Sequence, residues 1–222
     1  MKNLTLVIPA KNESLSLPIV LDELKKYNYK ILIVTHKTDQ KTIESVKFYN
    51  HKIIRQTSHG YGNAIIKGIN SVKTKYFCIF NADGSFDPND IQVMFKKLQL
   101  GFNFIFASRY LNKGGSDDDT IVTFIGNKIF TLIGKIFFKI KLSDILFTFV
   151  LGETKKFKKL KLIYNDFRLC VEMPIKIKKN NFKYTSIPSF EKPRIAGKKN
   201  VNAIKDGFLI LCCLLRLYFN ND

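Results

Sequence analysis

Short apolar runs alternate with longer, helically spaced stretches through the first half of the chain. Leu4 to Ile8, Ile31 to Val34, Lys52 to Ile54, Tyr76 to Phe80 and Phe102 to Ala107 are too short for helices and rich in β-branched or aromatic residues. They read as strands. Between them, Ser14 to Lys26, Thr38 to Tyr49, Ala64 to Val72 and Ile91 to Leu100 carry apolar side chains at helical intervals. Pro18 suits the first turn of the first helix. The alternation predicts an α/β domain with a mainly parallel sheet and helices on both faces.

After Arg109 the rhythm changes. Asn112 to Thr120 is a Gly- and Asp-rich loop. Ile121 to Ile140 is dominated by Ile, Phe, Leu and Val, with Lys128, Thr131, Lys135 and Lys139 recurring along one side. This predicts a basic amphipathic helix of the kind that lies in a membrane interface. Ile145 to Leu151 favours a strand. Asp166 to Lys179 begins as a helix that Pro174 interrupts, and Tyr184 to Ile187 reads as a strand. Lys192 to Asn200 is a basic loop, and Phe208 to Leu215 is an apolar run ahead of Arg216 and Tyr218. For both apolar helices, packing on the protein's own core is the alternative to lipid contact. The division is one domain over 1–203, carrying the basic helix near 121–140, and a C-terminal apolar helix over 204–222. No segment reaches the roughly 18 uninterrupted apolar residues of a spanning helix.

With 222 residues, 45% hydrophobic and 25% charged, the chain is long enough for one large α/β domain. The net charge of +19 implies an anionic partner, with solvated surface charge that has no partner as the alternative. The basic residues alternate with aliphatic runs and match no nucleic-acid-binding motif. Phosphorylated substrate and anionic membrane are therefore preferred to nucleic acid. The four cysteines show neither metal-ligand spacing nor a disulfide framework. Met1 to Pro9 is too short and too soon interrupted for a signal peptide, and a reducing, cytoplasmic location is the expectation. The sequence sets no oligomeric state.

The chemistry concentrates where the Tyr76 to Phe80 strand ends in Asn81-Ala82-Asp83-Gly84-Ser85, before a helix opened by Pro88. A strand that delivers Asp83 to its carboxyl end puts a carboxylate where open α/β sheets bind ligands. Asp83, with Ser85 beside it, suits a hard divalent cation. A plain Asp-Gly turn is the alternative. Asp117-Asp118-Asp119 reads as a cap for the following helix. His36, His51 and His59 form no metal-binding set.

Further pieces occur in a fixed order: Pro9-Ala10-Lys11-Asn12-Glu13, His59-Gly60-Tyr61-Gly62-Asn63, the Asn81 to Ser85 segment, Ser108-Arg109-Tyr110, Asp144, and Arg194-Ile195-Ala196-Gly197-Lys198-Lys199. In this order, from about Leu4 to about Gly207, the chain resembles the family 2 glycosyltransferases. It looks most like their dolichol-phosphate mannosyltransferase and polyprenyl-phosphate glycosyltransferase branch. The resemblance implies a GT-A-type nucleotide-sugar-binding domain. Pro9, Ala10, Asn12 and Glu13 would line the nucleotide pocket, and Gly60 and Gly62 would approach the nucleotide closely. Asn81 and Ala82 would lie beside the ribose and metal, and Asp83 would bind the Mg²⁺ or Mn²⁺ that bridges the diphosphate. Arg109, Arg194, Lys198 and Lys199 would hold an anionic acceptor or the leaving diphosphate, and Asp144 would lie near the acceptor. The implied reaction is inverting transfer of a hexose from a nucleotide-diphosphate sugar to a polyprenyl phosphate, at the inner face of a membrane.

The chain departs from the family pattern at four places. Asn81 stands where the family has the first Asp of Asp-Ala-Asp. Thr35-His36-Lys37-Thr38 replaces Asp-Asp-Gly-Ser at the end of the second strand, and only Asp39 remains nearby. Phe147-Thr148 replaces Ser-Gly after Asp144, and Gly197-Lys198-Lys199-Asn200 replaces Gly-x-Ser-Lys. Two alternatives follow: a transferase extending a surface glycan through an acceptor hydroxyl, with Asp144 as general base, or a degenerate relative that acts as a binding protein.

Overall fold

The structure is a computed structural model that describes residues 3–197, 199 and 201–219. The strands are β1 (Leu4–Ala10), β2 (Lys30–His36), β3 (Lys52–Gln56), β4 (Tyr76–Ile79), β5 (Phe104–Ser108), β6 (Gly115–Ser116), β7 (Val150–Glu153), β8 (Tyr184–Pro188) and β9 (Phe190–Glu191). The helices are α1 (Ser16–Leu24), α2 (Gln40–Ser45), α3 (Tyr61–Asn70), α4 (Pro88–Gln99), α5 (Ile121–Phe138), α6 (Thr154–Lys159), α7 (Leu169–Lys179) and α8 (Ala203–Phe219).

Seven strands form one sheet in the order β3-β2-β1-β4-β7-β5-β8. β7 runs antiparallel to both neighbours and the remaining pairs are parallel. Successive side chains of β1 go to opposite faces, as a strand requires. Leu6 and Ile8 join a layer with Leu17, Leu21, Ile91 and Met94 of α1 and α4. Val7 joins a layer with Ile65 and Ile69 of α3, Met173 of α7 and Ile210 of α8. At Gly68 an added Cβ would lie 2.4 Å from Val7 Cγ1, so a glycine lets α3 lie this close to the sheet.

The parallel α/β reading holds, with local corrections. α2 stops at Ser45, short of Tyr49. The Ile145 to Leu151 run is buried almost throughout, but only Val150 onward pairs as a strand, inserted between β4 and β5. α7 continues through Pro174. Its first bonds, Cys170 N to Phe167 O and Val171 N to Arg168 O, are three-residue turns. Pro174 therefore withholds a donor from the Cys170 carbonyl alone, and burial of Val171, Met173, Ile175 and Ile177 offsets that loss.

α5 is where pattern and packing differ most. Its buried residues are Asn127, Thr131 and Gly134. Asn127 Nδ2 donates to Tyr110 Oη at 3.0 Å, and Thr131 Oγ1 accepts from Ile145 N at 3.2 Å. The polar and small side thus faces the protein, not water. Ile121 (79% exposed), Ile125, Ile129, Leu132 and Ile136 are outside, together with Lys128 and Lys135. By length and composition α5 is apolar enough to cross a bilayer. α8 packs beside α5, with Tyr218 meeting Phe137 and Phe138 edge-on. It buries Ile210, Cys213 and Leu214 and leaves Ile204, Phe208 and Leu215 exposed.

Candidate active site

The carboxyl ends of β1, β2, β3 and β4 open into one cavity of about 730 Å³. Pro9, Ala10, Lys11 and Glu13 enter from β1 and its loop, and Asn81, Ala82 and Asp83 from the loop after β4. This is the position for ligands that the crossing of a parallel sheet creates.

Asp83 is fixed from both sides. Its Oδ1 accepts from Ser85 Oγ at 2.7 Å and Ser85 N at 3.1 Å, closing a turn in which Gly84 takes φ +82°. Its Oδ2 accepts from Arg194 Nη2 at 2.8 Å. The loop that carries Arg194 is tied down by Ile195 N donating to the Asp83 carbonyl at 2.9 Å. Among the described residues, Arg194 Nε and Nη1 are buried without a partner. Two orphaned, charged donors at a cavity wall cost free energy unless an anion takes them. Glu13 Oε2 accepts from Ser16 Oγ at 2.6 Å. Burial raises the Glu13 pKa above its ordinary value, and the Asp83 charge adds to that.

A second cluster centres on Arg109. Its Nε donates to Asp144 Oδ2 at 2.7 Å and its Nη2 to Asp144 Oδ1 at 3.1 Å, a bidentate pair. Its Nη1 reaches Glu191 Oε2 at 3.1 Å and Asp119 Oδ1 at 3.3 Å. The guanidinium also lies over the Phe147 ring. Burial opposes the charge, but Asp144 and Glu191 more than compensate and raise the Arg109 pKa. Burial raises the Glu191 pKa as well, with Arg109 working against it.

No group of three or more His, Cys, Asp or Glu able to hold a metal occurs among the described residues. A lone Asp83 still fits Mg²⁺ or Mn²⁺ arriving with a diphosphate. Such ions are held through one or two carboxylates and complete their shell with substrate oxygens and water. The unpartnered Arg194 donors suit the same diphosphate.

The sequence profile described as Glycosyl transferase family 2 matches residues 5–161. The chain belongs to glycosyltransferase family 2. An uncharacterised glycosyltransferase of Mycobacterium tuberculosis is 28% identical over 105 residues, covering 47% of this chain and 48% of that protein. An uncharacterised protein of Methanocaldococcus jannaschii is 32% identical over 127 residues, covering 54% and 52%. The chain thus spans about half the length of the curated relatives it matches. Among solved structures, glucosyl-3-phosphoglycerate synthase of M. tuberculosis, in complex with Mn²⁺, uridine diphosphate and phosphoglyceric acid, superposes with a TM-score of 0.76. That match has 11% identity and covers 100% of this chain and 80% of that one. Mannosyl-3-phosphoglycerate synthase of Rubrobacter xylanophilus gives 0.70 at 14% identity over 97% and 72%. These likenesses establish the GT-A-type fold. They do not single out the dolichol-phosphate branch.

Within this family 2 domain, Pro9, Ala10, Glu13, Gly60, Asn81, Ala82, Asp83, Arg109, Arg194 and Lys199 all line the cavity. Lys198 lies outside the described residues. Asn12, Asp39, Gly62, Ser85 and Asp144 do not line it. Asp39 caps α2 through Thr42 N and accepts from Asn12 N at 2.7 Å, so its carboxylate holds the loops together. Gly60 and Gly62 are required by close approach of the protein backbone: a Cβ would lie 2.0 Å from Asn165 O at the first and 2.4 Å from Tyr164 O at the second. Ser85 is buried outside the cavity lining and donates its hydroxyl proton to Asp83, which positions that carboxylate. Asp144 is 1% exposed and wholly engaged by Arg109, the arrangement of a buried ion pair and not of a base. Arg109 is likewise occupied by three carboxylates.

Sequence reasoning missed other lining residues: His36, Gln56 and His59 at one end, and Val122, Ile129, Ile133, Ile204, Phe208 and Leu211 of α5 and α8 at the other. The histidines were visible but carry no signal until the loops bring them together. The apolar residues were read as helix faces, without sign that they border the site.

Proposed function

We propose that this chain transfers a hexose from a nucleotide-diphosphate sugar to a polyprenyl phosphate, as a peripheral enzyme on the cytoplasmic face of a membrane. The supporting observation is the continuity of the cavity. The compartment that holds Asp83 and Arg194 runs into a groove walled by Val122, Ile129 and Ile133 of α5 and Ile204, Phe208 and Leu211 of α8. An anion-binding end joined to a hydrocarbon-lined end is complementary to an amphiphilic phosphate. The apolar outer faces of α5 and α8, edged by lysines, suit the membrane interface where that acceptor resides.

Asp83 would hold the divalent cation, with Asn81 beside it. When bound, the cation neutralises charge developing on the leaving diphosphate. Arg194 Nε and Nη1 would donate to phosphate oxygens, and Lys199, paired with Asp118 at 3.0 Å, adds charge beside them. An acceptor phosphate oxygen attacks the hexose C1, the C1–O bond to the diphosphate breaks, and the nucleoside diphosphate leaves. A phosphate acceptor is already ionised near neutral pH, with a second pKa of about 6. No base is then needed. Of the carboxylates that line the cavity, Asp119 and Glu191 are engaged by Arg109, Asp83 by Arg194, Asp118 by Lys199, Asp166 by Arg168 and Glu13 by Ser16, while Asp206, in the first turn of α8, accepts from Asn202 N. A hydroxyl acceptor would need one of them free.

The donor site is tested by isothermal titration of nucleoside diphosphates with Mn²⁺ or Mg²⁺. Metal-dependent binding that Asp83→Ala abolishes supports the reading. Binding that is equal with and without metal, or absent, overturns it.

A further inference from the structure

A second hollow, of about 390 Å³, lies where the chain leaves α5 and meets β8, the last strand of the sheet. Lys135, Lys141, Ser143, Thr185 and Ser186 line it, with no carboxylate among the described residues. It shares no lining residue with the cavity that holds Asp83, and nothing in the transfer chemistry above uses it. The segment that forms its wall is pinned at both ends. Lys141 N donates to Tyr184 Oη at 3.1 Å, and Ile145 N to Thr131 Oγ1 at 3.2 Å.

The polar groups of this hollow are donors in want of an acceptor. Ser186 Oγ is buried with no partner among the described residues, a state that costs free energy until a ligand supplies one. Ser143 Oγ lies 2.7 Å from Ser108 Oγ, which also accepts from Tyr110 N at 3.2 Å. Ser108 is 1% exposed. Among the described residues its own proton finds an acceptor only in Ser143 Oγ, so the Ser143 proton is left for a ligand. Lys135 and Lys141 hold no ion pair among the described residues. Complementing the α5 dipole accounts for Lys135 in the last turn, but not for a second lysine and two hydroxyls beside it.

We propose that this hollow binds a phosphate group, and that at the membrane the phosphate belongs to the head group of an anionic phospholipid. The two ammonium groups answer its charge, and the Ser143 and Ser186 hydroxyls donate to its oxygens. What borders the hollow favours a lipid as the source. Leu132, three residues before Lys135 and so its neighbour along α5, and Ile136 are both more than half exposed. Acyl chains laid on that apolar face bring their head group to Lys135. Basic pockets beside apolar helices recognise anionic head groups in this way, and a second attachment turns marginal interfacial binding into stable binding. The choice of source rests on the interfacial placement of α5; the phosphate site itself does not.

The test uses the full chain and two probes, inorganic phosphate and dihexanoyl-phosphatidylglycerol below its micelle concentration. Each is read at the amide resonances of Lys141, Ser143 and Ser186 in ¹H–¹⁵N spectra, because the Arg194 donors also suit phosphate and a site-resolved signal separates the two places. Both probes should shift these resonances, and the lipid should bind roughly tenfold tighter because its chains also bury apolar surface. Equal affinities would keep the phosphate site and overturn its assignment to lipid. Shifts from neither probe overturn the proposal, whatever α5 does at a membrane. Lys135→Gln with Lys141→Gln should weaken both probes by roughly tenfold. Ser186→Ala leaves the charge unchanged. It should weaken both probes several-fold, yet leave the ligand-free protein at least as stable, since it removes an unsatisfied buried hydroxyl. A purely structural Ser186 would give the opposite pair of results, lost stability with unchanged affinity, and would remove it from the site.

Discussion

Arg194 and Asp83, 111 positions apart, form an ion pair with Nη2 and Oδ2 at 2.8 Å. The guanidinium takes the carboxylate oxygen that a divalent cation needs. Arg194 and the cation therefore compete for Asp83 until a diphosphate gives Arg194 another partner. Arg194→Ala should raise the affinity of nucleotide-free protein for Mn²⁺ by about tenfold, equivalent to about 1.4 kcal/mol. It should also weaken binding of nucleoside diphosphate in saturating metal. Electron paramagnetic resonance of free Mn²⁺ measures the first and calorimetry the second. A lower Mn²⁺ affinity in Arg194→Ala contradicts the competition.

Arg109 and Asp144 are predicted to act on stability before catalysis. Asp144→Ala removes the bidentate partner of a buried guanidinium, which keeps Asp119 and Glu191, and should cost about 3 kcal/mol in urea denaturation. Replacing both partners together, as Arg109→Met with Asp144→Leu, should not recover that loss, because it strands Glu191 and Asp119, which Arg109 also holds. An Asp144→Asn protein of wild-type stability but without turnover would return Asp144 to a catalytic role.

Glu13 gives a pH signature. Its pKa in the folded protein is raised above 4.5, first by burial and then by Asp83, against the hydrogen bond from Ser16 and the charge of Arg194. The folded state holds the proton longer than the unfolded chain, so this group's contribution falls as pH rises from 4.5 through the folded pKa. Glu13→Gln keeps an acceptor for Ser16 and removes the titration. Thermal unfolding across acid to neutral pH should show the variant gaining on the wild type as pH rises. A difference that shrinks with rising pH would contradict it.

The outer face of α5 is predicted to bind lipid. Ile125 and Ile136 are more than half exposed and do not line the cavity. Burying each such side chain is worth roughly 1.5–3 kcal/mol. Ile125→Glu with Ile136→Glu should lower sedimentation with phosphatidylcholine–phosphatidylglycerol vesicles at least tenfold, with UDP affinity unchanged. Undiminished sedimentation would remove α5 from the interface.

The sheet was legible because short β-branched runs and helical spacings are local properties, and the end of β4 announced Asp83 for the same reason. Less local features were not. β7 enters the sheet antiparallel because Gly152 and Leu151 fit between β4 and β5, which no period in the sequence encodes. The lysines of α5 suggested a wet face, yet Asn127 and Thr131 are the polar residues that turn inward, each drawn by one partner distant in sequence. Asp144 looked like a catalytic carboxylate because type and position can be read from sequence, whereas the guanidinium that saturates it cannot.

The decisive measurement is where the sugar goes. Nucleotide sugar labelled in the hexose, with Mn²⁺, should be offered a short polyprenyl phosphate in vesicles and 3-phosphoglycerate in the same tube. Label in the lipid, lost in Asp83→Ala, is the predicted result. Label in phosphoglycerate with none in the lipid would contradict the account of the groove between α5 and α8.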